Sequence, residues 1–265
     1  MEQLQGGRVG SIYRSGDNVI RPSGTWSPSV HKLLKHLRNN GFDAAPEPHG
    51  FDNHGNEILT FVQGEVYNYP LEGNIATRQA LVSAAQLLRE YHDATISLLS
   101  NPLFNSMCWR LPSREPIEVI CHGDYAPYNV ALKGTNTVGV FDFDTAHPAS
   151  RVWDIAYAVY CWAPFKTHKY DAMGDLSSQA ARAKLFCDAY GLSIENRQKL
   201  VATMVDRIES LVALMHQEAE RGNDAFIANI RDGHHLAYLT DIEYLTSNKD
   251  HITKILLAND TSSGN

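Results

Sequence analysis

Between Cys121 and Asp144 the chain places His122, Asp124, Asn129, Asp142 and Asp144 around short apolar runs, in "CHGDYAPYNV" and then "TVGVFDFD". Asp124 and Asn129 read as loop residues after one short strand, and Asp142 and Asp144 as the end of another strand of the same hairpin. Strand pairing then brings their carbonyl-type oxygens together. Two or three hard oxygen ligands, with water completing the shell, hold Mg2+ where the ion must also bind phosphate. A further carboxylate beside them can accept a proton from an incoming hydroxyl. His-Gly-Asp alone is a weak signal, because such triplets occur in turns; the spacing H-G-D-x-x-x-x-N, hairpin, apolar-apolar-Asp-Phe is far more specific.

These side chains need elements to position them. "GSIYRSGDNVIRP" alternates about Ser15-Gly16-Asp17 and reads as a β-hairpin. "SPSVHKLLKHLRNNGF" reads as a helix of about ten to twelve residues, with Ser27 as N-cap, Pro28 at the first helical position, a Val30/Leu33/Leu34/Leu37 stripe and Gly41 as stop. "PHGFDNHGNEILTFV" gives two strands around Asp52 to Gly55. Long helical patterns follow, in "ATRQALVSAAQLLREYHDAT" and "QKLVATMVDRIESLVALMHQEAE", with the compact β insert between them. The expected fold class is therefore α+β, with a small β-rich lobe over residues 1–64, a larger mostly helical lobe over 65–258 and a polar tail over 259–265.

Bulk properties narrow the classes. With 43% hydrophobic and 20% charged residues, the 265-residue chain is an ordinary globular one rather than disordered or fibrous. Its start lacks the basic flank and apolar run of a signal peptide, and no apolar run approaches a membrane span, so it reads as cytoplasmic with no membrane partner. A net charge of -7 disfavours nucleic acid, which demands clustered Lys and Arg. Residues 1–70 hold six basic and seven acidic side chains, leaving 17 basic against 23 acidic elsewhere, a bias that would favour a cationic small substrate or simply reflect a solvated acidic surface. The four cysteines form no C-x-x-C pair and read as buried free thiols.

The order H-G-D-x-x-x-x-N, short hairpin, apolar-apolar-Asp-Phe, followed by "RVWDIAYAVY", closely resembles the core of the aminoglycoside phosphotransferase and choline kinase branch of the protein-kinase-like fold. The resemblance implies a two-lobe kinase that uses ATP (or GTP) and Mg2+ to phosphorylate a hydroxyl of a small, cationic acceptor. It makes Asp124 the catalytic base, or the group that orients the hydroxyl, with His122 bracing the catalytic loop. Asn129 and Asp142 become the Mg2+ ligands, Asp144 an extra one, and Asp154 the residue that holds the loop from the first turn of its helix. Arg21 on "NVIRP" stands where the fold places a phosphate-gripping cation, and the backbone of Thr60, Phe61 and Val62 where it pairs with adenine. "VIRPSGTWSPSVHKLLKHL" with "LREYHDAT" is similar to a bacterial subgroup that includes trifolitoxin-immunity-type proteins.

The first lobe departs from the family pattern. The expected cation is Arg, with a bidentate fork, rather than Lys. The helix from Pro28 to Asn40 contains no Asp or Glu to orient it, and His31, its only available partner there, reads more readily as a surface histidine. Gly6, Gly7 and Gly10 fit either a phosphate cover or a loose loop. "YCWAPFKTHKYDAMGD" offers Tyr160, Trp162 and Asp171 either as an acceptor wall or as core. Two other functions fit parts of the pattern. One is a kinase-fold binding or immunity protein without turnover. The other is a D-x-D phosphatase with Asp142 as nucleophile and Asp144 as acid, which leaves the H-G-D motif unexplained.

Overall fold

A computed structural model describes residues 2–4 and 12–258; Gly6, Gly7, Gly10 and the 259–265 tail lie outside them. The chain forms two compact units, each of two segments: residues 1–67 with 86–154, and residues 68–85 with 155–265.

The first unit carries a five-stranded antiparallel sheet of order β1-β2-β3-β5-β4, built from Glu2–Gln3 (β1), Tyr13–Ser15 (β2), Asn18–Pro22 (β3), Pro48–Phe51 (β4) and Asn56–Thr60 (β5). The turn at Gly16 (φ 62°) joins β2 to β3 where the sequence signals it. Helix α1, Ser27–Asn39, buries Val30, Leu33, Leu34 and Leu37, the expected stripe. It starts one residue early: Trp26 is the N-cap, and Ser27 Oγ instead accepts from the Gly24 N–H at 3.0 Å.

Two small antiparallel pairs complete this unit: Val119–Cys121 (β6) with His147–Ala149 (β9), and Val130–Lys133 (β7) with Asn136–Val140 (β8). The strand ahead of the H-G-D motif thus pairs with a segment beyond Asp144, not with the hairpin that carries Asn129. Residues 62–65 are clamped onto that hairpin. Glu65 exchanges two backbone hydrogen bonds with Leu132, and a Cβ on Gly139 would lie 2.3 Å from Val62 Cγ1. Only glycine admits that approach.

Helix α2, Arg78–Leu99, and helix α3, Arg151–Trp162, each cross a unit boundary, between Ala85 and Gln86 and between Asp154 and Ile155. The second unit is otherwise helical: Leu176–Tyr190 (α4), Ile194–Glu220 (α5), Asp224–Arg231 (α6), His234–Ser247 (α7) and Lys249–Leu257 (α8). Its core includes Tyr160, Trp162, Phe165, Phe186 and Met204. Among the described residues, no helix is long and apolar enough to cross a membrane. Cys121, Cys161 and Cys187 are buried and outside any disulfide; Cys108 departs from the expected burial and is exposed, since it lies in a surface loop beyond the sheet and helix cores.

Candidate active site

Asp154 organises the loop. Fully buried, it accepts from the His122 N–H at 2.7 Å and from His92 Nε2 at 3.0 Å through Oδ2, and from the Gly123 N–H at 2.9 Å through Oδ1. Burial alone would raise its carboxyl, but the hydrogen bond and charge of His92, the neighbouring His122 and the Gly123 amide bring it down to about 2. His92 was not singled out from the sequence. It lies in "LREYHDAT", and its burial on α2, opposite an aspartate of the next motif, is a tertiary fact.

His122 is also buried, and burial lowers its pKa against the pull of Asp154 and Asp142, leaving a neutral ring. Its Nε2 lies 3.0 Å from the Phe141 carbonyl, which can only accept, and its Nδ1 accepts from the Asp124 N–H at 3.2 Å. Those two partners fix the Nε2–H tautomer and tie the H-G-D loop to the residue preceding Asp142. Phe143 packs on the same ring at 4.7 Å between centroids. Gly123, at φ 83°, allows the loop to turn; a Cβ there would lie 2.3 Å from the Thr145 carbonyl oxygen.

Downstream of this brace, Asn129 Nδ2 donates to Asp124 Oδ2 at 2.8 Å and to the Asp124 carbonyl at 2.9 Å, and Tyr128 Oη donates to Asp124 Oδ1 at 2.9 Å. The Asp124 carboxylate is therefore held at both oxygens. Tyr128 is a site residue missed in the sequence. Across the β7–β8 hairpin the Phe141 N–H donates to the Asn129 carbonyl at 3.0 Å, so Asn129 and Asp142 are brought to one end of it. Asp142 is the one non-glycine residue with positive φ among those described (65°). Such backbone strain persists where the surroundings impose it, and it concentrates at functional positions.

Arg21 joins this end of the hairpin to the sheet. Its guanidinium donates from Nε to Glu57 Oε1 at 2.8 Å, from Nη1 to Asp142 Oδ1 at 2.8 Å and from Nη2 to Asp144 Oδ1 at 2.7 Å. Burial opposes its charge, but Asp144, Asp142 and Glu57 outweigh that and raise its pKa above the ordinary value. Burial likewise raises Asp144, with Arg21 opposing. The partner sought on α1 is thus supplied by β5, where Glu57 pairs directly across from Arg21. His31 is not a surface residue: it is buried, its Nε2 lies 2.9 Å from Glu57 Oε2, and its ring stacks on Phe51 at 4.5 Å.

The chemistry of the donor set fits Mg2+: Asp142 and Asp144 converge on one guanidinium, and the Asn129 amide nitrogen is committed to Asp124. Among the described residues no three His, Cys, Asp or Glu side chains are grouped so as to hold a metal ion by themselves. At the expected adenine edge, the N–H groups of Thr60 and Phe61 already donate to the carbonyls of Glu47 and Asp17 at 2.9 and 2.7 Å. Neither N–H can serve a nucleobase while those bonds stand.

In the second unit, Tyr160 and Trp162 are core. Tyr160 Oη donates to buried Asp241 at 2.6 Å, and Lys166 Nζ sits 4.2 Å from the Tyr160 ring. The chain's own ammonium takes the aromatic face that was a possible acceptor wall, and that argument for a cationic acceptor lapses.

Residues 102–185 match the family described as Phosphotransferase enzyme family, a span containing the whole H-G-D to Asp154 constellation. The chain is also 33% identical over 236 residues to the trifolitoxin immunity protein of Rhizobium leguminosarum bv. trifolii, covering 84% of each. The chain belongs to the phosphotransferase enzyme family. Solved structures of similar fold include a choline/ethanolamine kinase family protein from Mesorhizobium loti (TM-score 0.62, 15% identity, 97% of this chain and 92% of that one). A GDP complex of an aminoglycoside 2'-phosphotransferase is another (TM-score 0.57, 15% identity, 95% and 93% covered). The fold is protein-kinase-like and α+β, as the motif order implied. Family membership leaves the D-x-D phosphatase reading without support.

Proposed function

We propose that this phosphotransferase-family protein is a small-molecule kinase that transfers the γ-phosphoryl group of ATP or GTP to a hydroxyl of its acceptor. The observation that carries the reading is the fixed Asp124 carboxylate, held by Tyr128 and Asn129 on a loop that His122 and Asp154 brace. Nucleotide binding by the similarly folded aminoglycoside 2'-phosphotransferase, solved with GDP, supports a nucleotide donor.

Phosphoryl transfer asks for positioning and charge neutralisation more than covalent chemistry from the protein. Asp124 aligns the acceptor hydroxyl, whose oxygen bonds to the γ-phosphorus as the bond to the β–γ bridging oxygen breaks. The hydroxyl proton passes to Asp124 and the nucleoside diphosphate leaves. Asn129, Asp142 and Asp144 would hold Mg2+, and a bound ion supplies neutralisation of phosphate charge there. Arg21 offers phosphate a bidentate fork.

A screen of hydroxyl compounds for ATP- or GTP-dependent phosphorylation tests this, paired with Asp124→Asn. The amide keeps size and hydrogen bonding but loses the base, so turnover should fall about a hundredfold or more with nucleotide affinity little changed. Wild-type turnover in that variant would sink the mechanism.

A second reading is a binding or immunity protein that holds nucleotide without transfer. Two observations favour it: Arg21 is engaged by Asp142 and Asp144, and the trifolitoxin immunity protein is a relative over most of the chain. Nucleotide binding with no phosphorylated acceptor would select it.

A further inference from the structure

Helix α1 has no acidic residue, yet Arg21 is anchored as firmly as an ion pair allows. Glu57 is buried to 1% side-chain exposure, meets Arg21 Nε through one oxygen, and meets His31 through the other. The His31 ring also stacks on Phe51. The Nε contact fixes the guanidinium at its stem and leaves the two terminal nitrogens to reach Asp142 and Asp144, one each. A planar fork can satisfy three carboxylates in this way; an ammonium on a flexible stem cannot do so with the same geometry.

The charge balance shows what the cluster is poised for. One guanidinium faces three carboxylates, a formal excess of two negative charges among groups of which only Asp142, at 41%, is substantially exposed. Carboxylates this close and this poorly solvated demand a counter-charge. Arg21 supplies a counter-charge to all three.

We propose that Glu57, backed by His31, is the positioning residue for Arg21, and that it holds the guanidinium against Asp142 and Asp144 as a resident cation that an incoming divalent ion must displace. The inference rests on the kinase reading in assigning Asp142 and Asp144 to the ion and Arg21 to the nucleotide phosphates. Glu57 acts from the cross-strand partner of Arg21 rather than from a helix, so Arg21 can exchange its carboxylates for phosphate while keeping its Nε anchor.

The test uses the full chain, with Mn2+ alone as the first probe and ADP as the second. Arg21→Met removes the competing cation, and Mn2+ binding without nucleotide should tighten at least about tenfold, the equivalent of one pKa unit of charge interaction. Arg21→Lys keeps the charge but loses the fork; it guards against a poorly folded methionine variant and should tighten Mn2+ binding to a smaller degree. Unchanged or weaker Mn2+ binding in the folded variants overturns the proposal. For Glu57, a double-mutant cycle on ADP affinity decides. If Glu57 acts through Arg21, Glu57→Gln weakens ADP binding in the wild-type background and adds little beside Arg21→Met. Additive losses would make Glu57 merely structural and overturn its part. Neither readout needs turnover, so failure to find a phosphorylated acceptor would count against the kinase reading alone.

Discussion

Replacing Asp154 by asparagine should cost more stability than any other single isosteric change in the loop. The carboxyl's pKa is about 2 in the folded protein against an ordinary 3.8. The ionised form is therefore worth about 2.5 kcal/mol to the folded state at neutral pH. Asparagine also turns an N–H group toward His92, His122 or Gly123, all of which donate to Asp154. One mismatched buried pair adds roughly 1–3 kcal/mol, for a total of about 4 kcal/mol. For a chain of this size that corresponds to a melting temperature lower by about 8–15 °C. Urea denaturation at pH 7, with amide exchange at His122 and Gly123 as a local readout, measures it. The sign with pH follows from the depressed pKa. The Asp154 contribution is complete above pH 4 and is lost as pH falls toward about 2. The gap between wild type and variant should therefore narrow only within that acid window. A variant within about 1 kcal/mol of wild type at pH 7, or a gap that stays constant between pH 4 and 2, would refute the reasoning.

Gly123→Ala should destabilise by about 2–4 kcal/mol, since it pairs a positive φ with a Cβ 2.3 Å from the Thr145 oxygen; thermal melting checks it. His122→Ala should lower the melting temperature by removing both the Phe141 and Asp124 links; abolished catalysis with an unaltered melt would give the histidine a chemical role instead. Asp142→Ala should remove the Mg2+ dependence of nucleotide binding while relieving the φ 65° backbone little, because alanine tolerates that region no better; calorimetry with and without Mg2+ decides.

Local patterns carried much of this into the sequence. The turn at Gly16, the α1 stripe and the hairpin joining Asn129 to Asp142 are set by residues within a few positions of one another. What escaped notice depends on pairing at a distance. Glu57 lies 36 residues from Arg21, on β5 rather than on α1, where the family pattern places the partner. The cue was present: if "NVIRP" pairs antiparallel with "NEILT", Arg21 and Glu57 fall opposite each other. His31 had a cue as well, lying three residues before Leu34 at the edge of the apolar stripe, where a partnered histidine buries readily. The link from His92 to Asp154 had none, since 62 residues and a β insert separate them.

Asp154 is the last residue of the first unit. Because translation is vectorial, a growing chain exposes Arg21, Glu57, Asp124, Asn129 and Asp142 to solvent before the group that clasps His92, His122 and Gly123 has left the ribosome. Until residue 154 emerges, the nascent polypeptide holds the proposed reacting groups without the carboxylate that fastens His92, His122 and Gly123.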